Sequence, residues 1–244
     1  EKMRLKLKES VYTQIKADDN RKMLVSSISH DLKTPITSIK GYVEGIMDGV
    51  ANTPEKMDKY LRTIYSKAVY VDKMIDDLLT YSKLDMNQIP FNFEKVNILQ
   101  FFKDCVAECE YELNKLNIKI SIDNQFDRDI ELLFDRERMK RVVLNIIDNA
   151  RKYMNKEKGE ISIILRETRS SIIIDIKDNG AGISNDDLQH IFDRFYRSDK
   201  ARSKMGGSGL GLAIAKQIVE GHNGKIWARS VENEGTSIII SLKK

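Results

Sequence analysis

Ser29-His30-Asp31-Leu32-Lys33-Thr34-Pro35 sets a histidine inside an amphipathic helix. Ile28, Leu32, Ile36, Ile39, Val43 and Ile46 recur at spacings of four and three and mark one apolar stripe. His30 lies two residues past Ile28, a rotation of about 200°, so it leaves that stripe and is expected to face solvent. Pro35 removes a helical hydrogen bond and is expected to interrupt or kink the helix. Gly49 to Pro54 supplies a turn, and Leu61, Ile64, Ala68, Val71, Ile75 and Leu78 then form a heptad seam between Glu55 and Leu84. The result is an all-α helical hairpin. One hairpin buries little, whereas two copies packed as a dimeric four-helix bundle bury every stripe. Upstream, Met3, Leu7, Val11 and Ile15 repeat among charged residues as a helical coiled-coil lead-in over residues 1–20.

A lone helical histidine is ordinarily a satisfied surface or core group, and its neighbours shift the balance here. An exposed imidazole near its ordinary pKa of about 6.5 is mostly neutral at cytosolic pH and offers one nitrogen lone pair as nucleophile. Asp31 can accept from the other nitrogen, fixing the tautomer and stabilising charge that develops on the ring. Thr34, one turn beyond on the same face, can orient a water for the reverse, hydrolytic chemistry. Lys33 can screen phosphate charge or simply be a solvated lysine.

With 244 residues the chain can build two domains. Hydrophobic residues at 41% and charged residues at 32% suit a helix-rich globular protein. The net charge of +4 comes from 41 basic and 37 acidic side chains, too even a mixture for a nucleic-acid-binding patch. Cys105 and Cys109 lack nearby histidines and read as free thiols rather than metal ligands. No apolar run of about eighteen residues is present. The start at Glu1, within a charged helical pattern and without a cap, suggests a fragment.

Beyond Asn87 to Pro90 the periodicity changes. A helix is expected near Ile98–Leu116, strands over Ile118–Ile122 and Ile130–Phe134, and a helix from Arg136 to Met154. The β-branched runs Ile161–Leu165 and Ile172–Ile176 read as a hairpin. A further helix after Gly209 and strands near Ile226 and Ser237–Leu242 complete an α/β sandwich with its helices on one face.

In the helix from Arg136, the residues Met139, Val142, Val143, Ile146, Ile147 and Ala150 make an apolar face, while Asn145, Asn149 and Lys152 share a polar one. Magnesium prefers oxygen ligands and keeps several waters, so one Asn carbonyl plus nucleotide phosphates suffices to hold it, and Lys152 can neutralise phosphate oxygens. Asp178-Asn179-Gly180-Ala181-Gly182 puts a carboxylate at a strand end, able to accept from an adenine amino group, with glycines that let backbone approach the ring. Gly207-Ser208-Gly209-Leu210-Gly211 opens a helix with free N–H groups, a phosphate cradle. Between them, Ser184 to Gly206 carries Phe192, Phe195, Tyr196, Arg197, Lys200, Arg202 and Lys204, a long basic connection suited to a lid over a triphosphate. Phe195 and Tyr196 also fit the plainer role of loop anchors.

Together these segments resemble the sensor histidine kinases of two-component signalling, from about Arg21 onward. Ser29–Pro35 is similar to the family's phosphoacceptor box, Asn145–Tyr153 to its N box, Asp178–Gly182 and Gly207–Gly211 to its two glycine boxes, and Phe192–Arg197 to the F-type box between them. The resemblance implies His30 as phosphoacceptor, Asp31 as assisting acid/base, and phosphatase activity through Thr34. Asn149 is implied as magnesium ligand, with nucleotide contacts from Asn145, Asn149, Lys152 and Tyr153. Asp178, Gly180, Gly182, Arg197, Lys200, Gly207, Gly209, Leu210, Gly211 and Thr236 are implied as further contacts. It also implies ATP and Mg2+ as cofactors, a homodimer, and a response regulator receiver domain as partner. The implied setting is cytoplasmic, as the soluble portion of a membrane-anchored sensor. The implied divisions are a lead-in (1–20), a dimerisation and histidine phosphotransfer hairpin (21–88), a linker (89–95), and an ATP-binding domain of the gyrase, chaperone and histidine-kinase superfamily (96–244). Met154 departs from the family, standing where a small hydroxyl residue is common.

Two alternatives remain. Hydrolytic ATPases of the same superfamily carry a water-activating glutamate one turn before the magnesium-binding asparagine; Asn145 occupies that place here and cannot act as a general base. An inactive dimeric scaffold would keep the fold without the chemistry.

Overall fold

The computed structural model describes residues 29, 31–85, 90–197 and 208–244. The expected lead-in over 1–20, and the site residues His30, Lys200 and Gly207, lie outside them. Two compact units divide the chain between Asp76 and Asp77.

In the first unit, helix α1 (31–47) runs through Pro35 without a break, so the expected interruption is not found among the described residues. Pro35 lies past the first turn, with Ser29 and residues 31–34 already helical, whereas a missing N–H costs least within the first turn of a helix. Helix α2 (Pro54–Asp85) begins on a proline for that reason, and the Thr53 carbonyl and hydroxyl accept from the N–H groups of Met57 (2.9 Å) and Lys56 (3.3 Å). The rings of Tyr42 and Tyr60 meet edge-on at 4.9 Å, and Gly45 lets Tyr60 approach: a Cβ there would lie 2.9 Å from its ring. The α1 stripe divides. Leu32, Ile39 and Ile46 are half-buried, while Ile36, Val43 and Met47 remain exposed, Met47 at 80%. On α2 the seam residues Leu61 (53% exposed), Ala68 and Ile75 are likewise open. The apolar surface is wider than one hairpin can cover.

From Asp77 onward α2 belongs to the second unit. Among the described residues its other helices are α3 (Ile98–Lys115), α4 (Arg136–Lys152), the single turn α5 (Asn185–Leu188) and α6 (Gly211–Gly221). Strands β2 (Ile118–Asn124), β4 (Gly159–Glu167), β5 (Ser171–Asp178), β7 (Gly235–Lys243) and β6 (Lys225–Val231) form one sheet in that spatial order. The β2–β4 pair is parallel and the others antiparallel. β1 (Glu94–Asn97) and β3 (Glu131–Phe134) make a separate antiparallel ladder. Alternation drives the layering: Ile161, Ile163 and Leu165, then Ile172, Ile174 and Ile176, then Ile238, Ile240 and Leu242 are all buried. They join Val142, Val143, Ile146 and Ile147 of α4 and Ile214 and Ile218 of α6 in one core. This is the expected sandwich, with the expected hairpin as β4–β5, where Ile163 pairs with Ile176. Cys105 lies in this core as a free thiol, and burial pushes its pKa up to about 12, so it behaves as a hydrophobe. Among the described residues no helix is long and apolar enough to cross a membrane.

Candidate functional site

Helix α4 organises the site. Asp135 caps it, accepting from the Arg138 N–H at 3.0 Å, and buries the six apolar residues read from the sequence, Met139, Val142, Val143, Ile146, Ile147 and Ala150. That burial fixes the rotation of the helix and leaves Asn145, Asn149 and Lys152 half-buried on the neighbouring face. The Asn145 amide donates to the Gly211 carbonyl at 3.2 Å, joining α4 to the first turn of α6. At the other end of α4, the Tyr153 carbonyl accepts from the Ala181 N–H at 3.0 Å. One helix therefore holds both glycine segments. Lys152 is paired with Asp148 at 2.8 Å, and the Tyr153 ring is exposed.

Asp178 ends β5, and its Oδ1 accepts from the backbone N–H groups of Gly180 (2.8 Å) and Thr236 (3.3 Å). Burial raises its pKa, and these two hydrogen bonds pull the other way. Thr236 is buried, with its hydroxyl 2.9 Å from that of Ser230. The glycines here serve the protein's own packing. A Cβ on Gly182, whose φ is +67°, would fall 2.1 Å from the Val231 carbonyl oxygen. One on Gly180 would fall 2.9 Å from the Tyr153 carbonyl oxygen. The sequence reading gave these glycines to the approach of a base; the contacts assign them first to close backbone packing.

In the second glycine segment, Gly209 has φ +66° and carries a carbonyl that accepts from the Phe195 N–H at 3.0 Å. The F-type segment is thereby fastened to it, and Phe195 and Phe192 pack against the core as anchors. Tyr196 is anchored too, its hydroxyl donating to Asp187 at 2.5 Å. Arg197 is half-buried beside it in sequence. Gly211 differs from the other glycines: a Cβ there would meet Asn145 only at 3.7 Å, an ordinary contact. Among the described residues no packing contact demands glycine at 211. Leu210 is buried and opens that helix.

In the first unit Asp31 is half-buried and Thr34 exposed. Among the described residues no group of three or more His, Cys, Asp or Glu side chains is placed to hold a metal ion. A single Asn oxygen with nucleotide phosphates and waters is compatible with that. Sequence reasoning did not find Asp77 and Arg141, which meet at 2.7 Å, nor Asp135 as a ligand of His222, because their partners are 64 and 87 residues away.

Residues 20–87 match the family described as His Kinase A (phospho-acceptor) domain. Residues 134–244 match that of histidine kinase-, DNA gyrase B-, and HSP90-like ATPases. The chain is 37% identical over 235 residues to sensor histidine kinase WalK of Bacillus subtilis (strain 168) and 38% identical over 239 residues to sensor protein kinase WalK of Staphylococcus aureus. Each match covers 95% of this chain, which spans 38% and 56% of those relatives' lengths. In fold it is similar to histidine kinase ThkA, solved in complex with response regulator protein TrrA, with a TM-score of 0.74 and 23% identity. That likeness covers 91% of this chain and 61% of ThkA. A phospho-acceptor domain followed by an ATPase domain defines the class, and the chain belongs to the sensor histidine kinases, whose catalytic portion it represents.

Proposed function

We propose that this chain binds ATP with magnesium, transfers the γ-phosphate to His30, and passes it to an aspartate of a response regulator. The observation that carries the reading is the double attachment of α4, through Asn145 to Gly211 and through Tyr153 to Ala181. Two glycine segments remote in sequence are thus tied to one helix, which supports reading them as parts of one nucleotide site. In it Asp178 accepts from the adenine amino group, with Thr236 and Gly180 holding its carboxylate and Gly182 the loop below. The backbone of Gly207, Gly209, Leu210 and Gly211 takes phosphate oxygens, and Lys152, Tyr153, Arg197 and Lys200 complete the contacts. Asn149 offers magnesium an oxygen, and the ion, when bound, offsets phosphate charge.

His30 attacks the γ-phosphorus with its free nitrogen lone pair. The bond from the γ-phosphorus to the bridging oxygen breaks, and ADP leaves with the electron pair. Asp31 accepts the hydrogen bond, and then the proton, from the ring's other nitrogen. In the second step a receiver carboxylate takes the phosphoryl group and the N–P bond breaks. Thr34 orients a water for dephosphorylating the regulator. The exposed seam residues Leu61 and Ile75 fit burial against a second copy, giving the homodimer. The divisions that go with this reading are 1–20, 21–88, 89–95 and 96–244, in a cytoplasmic portion of a membrane-anchored sensor. A hydrolytic ATPase is disfavoured by Asn145, which is both a poor base and engaged with Gly211. An inactive scaffold would bind no nucleotide.

The test pairs two variants with γ-labelled ATP and magnesium. His30→Gln should abolish protein labelling and keep ATP affinity within about threefold, a change no larger than a surface substitution brings. Asn149→Asp should lose magnesium-dependent labelling. Labelling retained in His30→Gln moves the acceptor elsewhere, and a wild-type rate in Asn149→Asp removes the magnesium assignment.

A further inference from the structure

The end of α2 lies in the same compact unit as the glycine segments and reaches the second of them. Asp77 is sequestered there, its side chain 7% exposed. One carboxylate oxygen accepts from Arg141 at 2.7 Å and the other from the Ser208 hydroxyl at 3.2 Å. Arg141 also donates to the Thr80 hydroxyl at 2.6 Å. One turn beyond Asp77, the guanidinium of Arg194 sits 4.7 Å from the ring centre of Tyr81, which is itself buried. A carboxylate withdrawn from water persists only with charge and hydrogen bonds to compensate it, and Arg141 and Ser208 supply both.

Ser208 is also the acceptor for the Leu210 N–H, at 3.3 Å. Because its hydroxyl hydrogen is directed at Asp77, its lone pairs are turned toward that N–H, and the two hydrogen bonds reinforce each other. The Leu210 N–H, at the opening of α6, is one of the donors a phosphate would take.

We propose that Asp77, Arg141 and Ser208 form a latch that opposes nucleotide binding. With the end of α2 docked, Ser208 satisfies a phosphate-binding N–H, and an incoming phosphate must displace it. Linkage requires the converse, that bound nucleotide loosens the end of α2. The latch rests on the reading of Gly209–Gly211 as the phosphate-binding segment.

The test is titration of the whole chain with ADP and magnesium. Ser208→Ala and Asp77→Ala should each bind about 3- to 10-fold tighter, the worth of one modest hydrogen bond. The double variant should bind no tighter than the better single one, because both remove the same restraint. Thr80→Val, which leaves the Asp77–Ser208 contact in place, should stay within about twofold. Amide exchange across Asp77–Leu84 should quicken when ADP is added. Where Asp77→Ala does not fold, Ser208→Ala and the exchange measurement decide. Equal or weaker binding by Ser208→Ala, additive gains in the double variant, or slower exchange overturns the latch. Failure of the wild-type chain to bind ADP would instead remove the nucleotide reading, and the latch with it.

Discussion

Asp178, the proposed acceptor for the adenine amino group, shows at the scale of one residue how a buried carboxylate is held at a cost to the fold. Burial raises its pKa in the folded chain, so its favourable contribution is complete below the unfolded carboxyl value and is lost as pH rises through the folded one. At neutral pH the ionised group is therefore a burden on stability. Asp178→Asn keeps the acceptor for the Gly180 and Thr236 N–H groups and removes the charge. Thermal melting at pH 7.5 should show an unchanged or higher Tm, while ADP affinity falls by about tenfold or more, the loss expected for a hydrogen bond to a charged group. A lower Tm with unchanged affinity would refute both halves. Asp178, Gly180 and Gly182 were legible because they are neighbours in sequence, but the reason for the glycines was not. Gly182 is required by the carbonyl of Val231, on another strand, and no local pattern reports that approach.

Among the elements, α4 was the most legible, because an amphipathic helix states its buried face in its own spacing. β1 was not: Glu94-Lys95-Val96-Asn97 has one buried residue, Val96, and becomes a strand only through its pairing with β3. The parallel pairing of β2 with β4 is equally non-local. The start of α4 rests on such a contact. Asp135 caps the helix with its side chain, and its backbone N–H donates to the buried His222 Nε2 at 2.9 Å. The other ring nitrogen donates to the Ile218 carbonyl at 2.7 Å, so this imidazole is neutral. Burial lowers the His222 pKa despite the Ile218 carbonyl and Asp135, which raise it. Below the ordinary histidine value of about 6.5 the unfolded chain takes up a proton that the folded chain resists, and stability falls with pH by at most about 1.4 kcal/mol per unit. Denaturant titrations at pH 7.5 and 5.5 should show His222→Gln less stable at the higher pH by about 1–2 kcal/mol, for the lost acceptor, but with a shallower decline. An equally steep decline in the variant would assign the acid sensitivity to other groups.

Over the whole molecule, what the sequence made legible was order: a histidine helix, a heptad seam, then polar and glycine segments in the sequence of a nucleotide pocket. In the proposed homodimer the exposed Leu61 and Ile75 would be covered by a second copy, the arrangement that the seam periodicity implies. In the sequence the end of α2 shows only as seam, because its contact with Ser208 spans 131 residues. The destination of the γ-phosphate is the claim on which the functional reading depends. Wild-type chain incubated with γ-labelled ATP and magnesium, then divided between acid and alkali, should carry protein-bound label that acid removes and alkali spares, as a phosphoimidazole does. Label released only as free phosphate, with none on the protein, would contradict transfer to His30.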